Sequence, residues 1–152
     1  MSGHAPRATA TEVLLVLLGL MGLAGTWAQA FGYLQHGFLA GNVLFWKETV
    51  ATPASTFITV DILVLAAAIF VLMFAEGRRI GIGAGWLWGY FVASLAVGIS
   101  FAVPVFLAHR QRRIRLRRPH EAGEPMGTDW IAIGIAVVIA VIAAGYSLRH
   151  IP

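Results

Sequence analysis

Four long apolar runs organise the chain: Val13 to Tyr33, Phe57 to Ala75, Trp86 to Ala108 and Trp130 to Leu148, of 21, 19, 23 and 19 residues. About 20 residues at 1.5 Å per residue cross a hydrocarbon core of roughly 30 Å, where only helices or closed barrels satisfy their own backbone polar groups. None of the runs alternates apolar and polar positions as a barrel strand does. The pattern therefore predicts an all-α fold, a four-helix transmembrane bundle forming one membrane domain over residues 1–152. Local chemistry agrees at the boundaries. Thr52-Pro53 suits the start of the second helix, Asp129 precedes the fourth, and Gly77 follows the second run. Trp27, Tyr33, Trp46, Trp86, Trp88, Trp130 and Tyr146 stand near run ends, where amphipathic rings prefer the headgroup zone. Arg7, the first run and Ala28-Gln29-Ala30 also resemble a secretory signal, but that run is longer than a typical signal core.

The connections carry the polar chemistry. Residues 34–56 form one long connection, residues 76–85 a short turn, and residues 109–129 a polar stretch with six Arg in its first ten positions: Arg110, Arg112, Arg113, Arg115, Arg117 and Arg118. Pro119, Gly123, Pro125 and Gly127 then read as a linker. Four crossings would put both termini on one side with Arg7, Arg78, Arg79 and Arg149, and would put Lys47 and the Arg cluster on the other. The positive-inside tendency then makes the cluster cytoplasmic and the termini external.

Composition sharpens the class. Hydrophobic residues make up 59% of the chain and charged residues 12%, about half the roughly 25% of a soluble domain, which excludes a water-soluble globule. With no cysteine there is no disulfide, thiolate nucleophile or Cys-based metal site. His36, His109 and His150 fall outside the runs, so no haem or metal is expected. Gly81, Gly83 and Gly85 lack the flanking strand and Lys of a phosphate loop. No nucleophile-base set or carboxylate pair assembles, so the expectation is a chain that is not an enzyme and carries no cofactor.

Asp61 is the one ionisable residue well inside a run, about 12 Å along its helix. A carboxyl in lipid is either hydrogen-bonded to a neighbouring helix or used for proton or substrate coupling. Alternating helix directions put Gln29 and Ser100 at a similar depth, so Asp61, Gln29 and Ser100 are the expected intramembrane polar cluster. Pro104 adds a freed acceptor at the carbonyl of residue 100. Arg78 and Arg79 beside Glu76, with the Arg cluster, are candidates for lipid or partner contact. Anionic headgroups are the natural partner, worth about 1 kcal/mol per basic residue. No aromatic residues interleave the cluster for base stacking, so nucleic acid is not expected. Gly19, Gly22 and Gly25, and Ala132, Ala136, Ala140 and Ala144, make flat faces where helix backbones approach closely.

Phe57, Asp61, Glu76-Gly77-Arg78-Arg79, Trp86, and then Gly98, Ser100, Pro104, Phe106, Leu107 and Arg110 form a recognisable series. Over roughly Val13 to Arg110 the chain resembles the small bacterial integral membrane proteins grouped as domain of unknown function 2834. Those proteins typically show three spans, an Asp early in the second, an E-G-R-R turn, and a G-x-S-x-x-x-P-x-F-L-x-x-R ending. The resemblance implies a membrane protein and carries no activity with it. The extended Arg cluster and the fourth run depart from that pattern. Together these features lead to the expectation of a multi-pass protein of the bacterial cytoplasmic membrane. It would serve as a non-catalytic accessory or assembly subunit beside other membrane proteins; the alternative is a small transporter or lipid-handling protein using Asp61.

Overall fold

A computed structural model describes residues 8–117 and 129–149; among them the chain is all-α, with six helices and no strand. α1 (Ala10–Leu34) starts at Thr9, whose side chain accepts the Glu12 backbone N–H at 3.3 Å. α2 (Phe38–Glu48) occupies the connection in which the sequence pattern indicates no element, and follows Gly37 with a φ of 83°. It folds back on α1, where Phe45 meets Tyr33 edge-on and the Tyr33 hydroxyl donates to the Glu48 carboxylate. α3 (Pro53–Arg79) opens with a reciprocal Thr52–Ser55 capping box and Pro53 in its first turn, as the sequence indicates. Its start is tied to the end of α2 by the Thr59 hydroxyl, which donates to the Thr49 carbonyl at 2.7 Å.

The third apolar run is not one helix. It divides into α4 (Ala84–Ala96) and α5 (Ile99–Arg117), and the chain reverses between them at Gly98, whose φ of 143° suits no L side chain. Tyr90 packs on Phe106 at 5.6 Å and Trp86 on His109 at 5.7 Å, so residues 86 and 109 lie side by side at one end of an antiparallel hairpin. This corrects the single span over 86–108. At 1.5 Å per residue α4 is about 20 Å long, short of a roughly 30 Å hydrocarbon core. α1 and α3 are long and apolar enough to cross a membrane by length and composition.

The hairpin docks antiparallel along α1. From one end to the other, Arg115 meets Glu12, Val105 and the Phe101 carbonyl meet Gly19, and Ser100 meets Gly22. At the turn, the Trp27 indole N–H donates to the Val97 carbonyl at 2.7 Å, satisfying an acceptor that the helix break leaves without an intrahelical partner. Glycine makes the contact possible: a Cβ on Gly22 would stand 2.6 Å from the Ser100 carbonyl oxygen, the acceptor that Pro104 deprives of its N–H. α3 lies against the hairpin through its C-terminal half only. Gly77 admits Leu87, and Phe70 and Phe74 pack on Phe91. The buried core sits here, at Met73, Ile80, Ile82, Leu87, Phe106 and Ile114. α6 (Asp129–Arg149) rests on α1, with Ala144 at Gly25.

Candidate functional site

Because α1 and the hairpin run antiparallel and α3 returns to meet α4, three chain segments converge at one end: the start of α1, the α3–α4 turn and the end of α5. Arg78, Arg79 and the five Arg of residues 110–117 gather there. The sequence-based side assignment, which separates Arg78 and Arg79 from the cluster, is corrected by this arrangement. Arg118 lies outside the described residues. Lys47, on α2, belongs to the opposite end.

Glu76 organises the cations around the turn. Arg79 donates to both of its oxygens, at 2.6 and 2.8 Å, and Arg110 of α5 donates twice to Oε1, at 2.9 and 2.6 Å. The Arg79 hydrogen bonds, helped by Arg110 and opposed by partial burial, hold the Glu76 carboxyl down at about 2 against a usual 4.5. A second pair fastens α1 to α5: Arg115 donates to both oxygens of buried Glu12, at 2.8 and 3.0 Å. Arg117 reaches the α3–α4 turn, its guanidinium 3.0 Å from where a Cβ on Gly81 would stand. The sequence alone points to Arg78, Arg79 and the cluster as outward contacts; in the fold Arg110 fastens α5 to α3 and Arg115 fastens α5 to α1, while Arg79 pairs with Glu76 within α3. Arg78 and Arg112 stay exposed, and among the described residues neither side chain has a hydrogen-bond partner.

Beside these pairs an open groove of about 630 Å³ runs between α1, α4 and α5. Val13, Val16, Leu17 and Val105 give it apolar walls, and Tyr90, His109, Arg112 and Arg113 close its arginine end. The Tyr90 hydroxyl lies 2.9 Å from His109 Nδ1, and the Arg113 Nε–H donates to His109 Nε2 at 3.3 Å. Burial first, then the neighbouring Arg113 and Arg112 charges, push the His109 pKa below its usual 6.5, which keeps the ring neutral at pH 7. Tyr90 and His109 are site residues that the apolar pattern hides; only the reversal at Gly98 brings them together.

The expected polar cluster does not form. Ser100 lies at the α1–α5 contact and Gln29 is half-buried on α1, but Asp61 is exposed on α3 and has no hydrogen-bond partner among the described residues. The reason is length. Phe70 already meets Phe91, and α4 ends at Ala96, so the hairpin stops short of the level of Asp61. Around Asp61 the face of α3 is apolar and open, with Phe57, Val64 and Leu65 each more than half exposed.

An all-α chain with two membrane-length helices, a docked hairpin and one arginine-rich end defines the class. Residues 14–112 match the family described as Protein of unknown function DUF2834, and the chain belongs to that family. Nothing among the curated proteins or the solved structures matches it. The matched stretch covers the body of α1, all of α2, α3 and α4, and α5 as far as Arg112, and so includes Glu76, Gly98 and Arg110.

Proposed function

We propose that the chain is a multi-pass protein of a bacterial cytoplasmic membrane, working as a non-catalytic accessory or assembly subunit of a larger membrane complex. In this reading α1, α3 and α6 cross the bilayer, while the α4–α5 hairpin enters from the arginine end and returns to it. That end faces the cytoplasm, since it gathers seven of the nine described Lys and Arg residues, and its exposed Arg side chains meet anionic headgroups. The observation that carries the subunit role is Asp61. On insertion scales an Asp at the centre of a lipid-facing helix costs about 2.5–3.5 kcal/mol, and Asp61, the ninth residue of the 27 in α3, bears part of that cost. Here it sits on an open apolar face that none of the described helices covers. A neighbouring membrane helix bringing a hydrogen-bond donor would relieve that cost. The groove lies at the arginine end without Asp61 in its lining, which favours this reading over a transporter built on that carboxyl.

The experiment is purification in mild detergent combined with photo-crosslinking from position 64 in the membrane. The wild-type chain is expected to elute with one other membrane protein at fixed stoichiometry and to crosslink to that same protein. Asp61→Leu releases the partner while leaving the amount and helix content of this chain unchanged. A chain that purifies alone and crosslinks from α3 only to lipid contradicts the proposal.

A further inference from the structure

The groove at the arginine end has two chemically different parts. Its long walls are apolar, and its end is closed by hydrogen-bond donors. The donor arrangement follows from the hydrogen bonds. An Arg N–H only donates, so His109 Nε2 presents a lone pair to Arg113. The neutral ring then carries its proton on Nδ1 and donates it to the Tyr90 hydroxyl oxygen. The phenolic hydrogen is left for another acceptor. Arg112 is exposed and unpaired among the described residues. Glu12, the one carboxylate in the lining, has both oxygens engaged by Arg115 and adds no uncompensated negative charge. Donors without acceptors at one end of an apolar trough complement a molecule with an anionic head and a hydrocarbon tail.

We infer that this groove is a binding site for a single anionic phospholipid, its phosphate held by Tyr90, Arg112 and Arg113 and an acyl chain lying along Val13, Leu17 and Val105. The inference deepens the headgroup contact proposed above and rests on that placement. It differs from diffuse attraction in requiring one lipid per chain and in depending on the groove cations rather than on all cations at that end.

The test uses the full chain, purified in nonionic detergent and stripped of lipid, with native mass spectrometry after addition of phosphatidylglycerol, phosphatidylcholine or inorganic phosphate. One phosphatidylglycerol per chain is expected to be retained, at concentrations about tenfold below those needed for phosphatidylcholine. Arg112→Gln and Tyr90→Phe each weaken retention about tenfold, whereas Arg78→Gln, at the same end but outside the groove, leaves it intact. Arg112 is exposed, so its replacement breaks no packing; Tyr90→Phe keeps the ring, and circular dichroism checks both folds. Equal retention of the two lipids overturns the inference, as does an Arg78→Gln loss matching that of Arg112→Gln. Inorganic phosphate displacing phosphatidylglycerol at equal concentration also overturns it, leaving a bare anion site. Failure of the membrane placement itself would appear separately, as protein released from membranes by alkaline carbonate.

Discussion

Glu76 joins α3 to α5 with one carboxylate, taking hydrogen bonds from Arg79 on its own helix and from Arg110 on α5. Its side chain is 21% exposed and that of Arg110 32%, so the pair is partly screened and contributes on the order of 1–2 kcal/mol. The depressed pKa fixes the sign of the pH dependence. A carboxyl at about 2 when folded and about 4.5 when unfolded adds stability that is complete above pH 4.5 and is lost as pH falls towards 2. Thermal unfolding in detergent should therefore show a midpoint that falls between pH 4.5 and 2, and Glu76→Gln should lower the neutral-pH midpoint while flattening that acid slope. An unchanged slope in Glu76→Gln would assign the acid sensitivity to other carboxyls.

At the scale of elements, the decisive contact is the hairpin against α1, and it is built on absent side chains. An alanine at Gly22 would drive its Cβ into the Ser100 carbonyl, a backbone obstacle that cannot rotate away. Gly22→Ala should cost about 1–3 kcal/mol in detergent unfolding. Gly89→Ala, inside α4 with nothing within 4 Å of the added carbon, should be neutral or gain up to about 1 kcal/mol from helix propensity. Equal effects would remove close approach as the reason for these glycines. The contrast also shows what the sequence discloses. The Gly19, Gly22 and Gly25 stripe is legible as a face awaiting a backbone, and α5 and α6 occupy it. The Thr52-Pro53 start of α3 is legible because capping is local chemistry. The hairpin is not. Residues 86–108 are apolar throughout, so a reversal inside them changes no polarity along the chain, and only the backbone of Gly98 marks it. α2 is hidden for a related reason: most of its surface is exposed, and no buried stripe sets a helical period. Asp61 follows from the same error, since its expected partners assume a full-length third helix beside it.

For the molecule as a whole, the reversal at Gly98 turns a balanced charge distribution into a polar one. With a continuous third helix, Arg78 and Arg79 oppose the Arg cluster across the molecule. With the hairpin, Arg78, Arg79 and the five described Arg of residues 110–117 share the end where α1 begins, and Glu12 and Glu76 cross-link that end. A one-sided basic end, an apolar body and a groove opening at their junction fit a protein held at a fixed depth and orientation in a bilayer. The absence of native cysteine makes the central claim directly measurable. Single Arg78→Cys, Leu116→Cys and Lys47→Cys variants, each at an exposed position, can be labelled with a membrane-impermeant maleimide in intact cells and again after permeabilisation. The hairpin predicts that Arg78→Cys and Leu116→Cys label together, only after permeabilisation, while Lys47→Cys labels in intact cells. Arg78→Cys and Leu116→Cys labelling from opposite sides would mean that residues 86–108 cross the membrane as one helix, and would contradict the account.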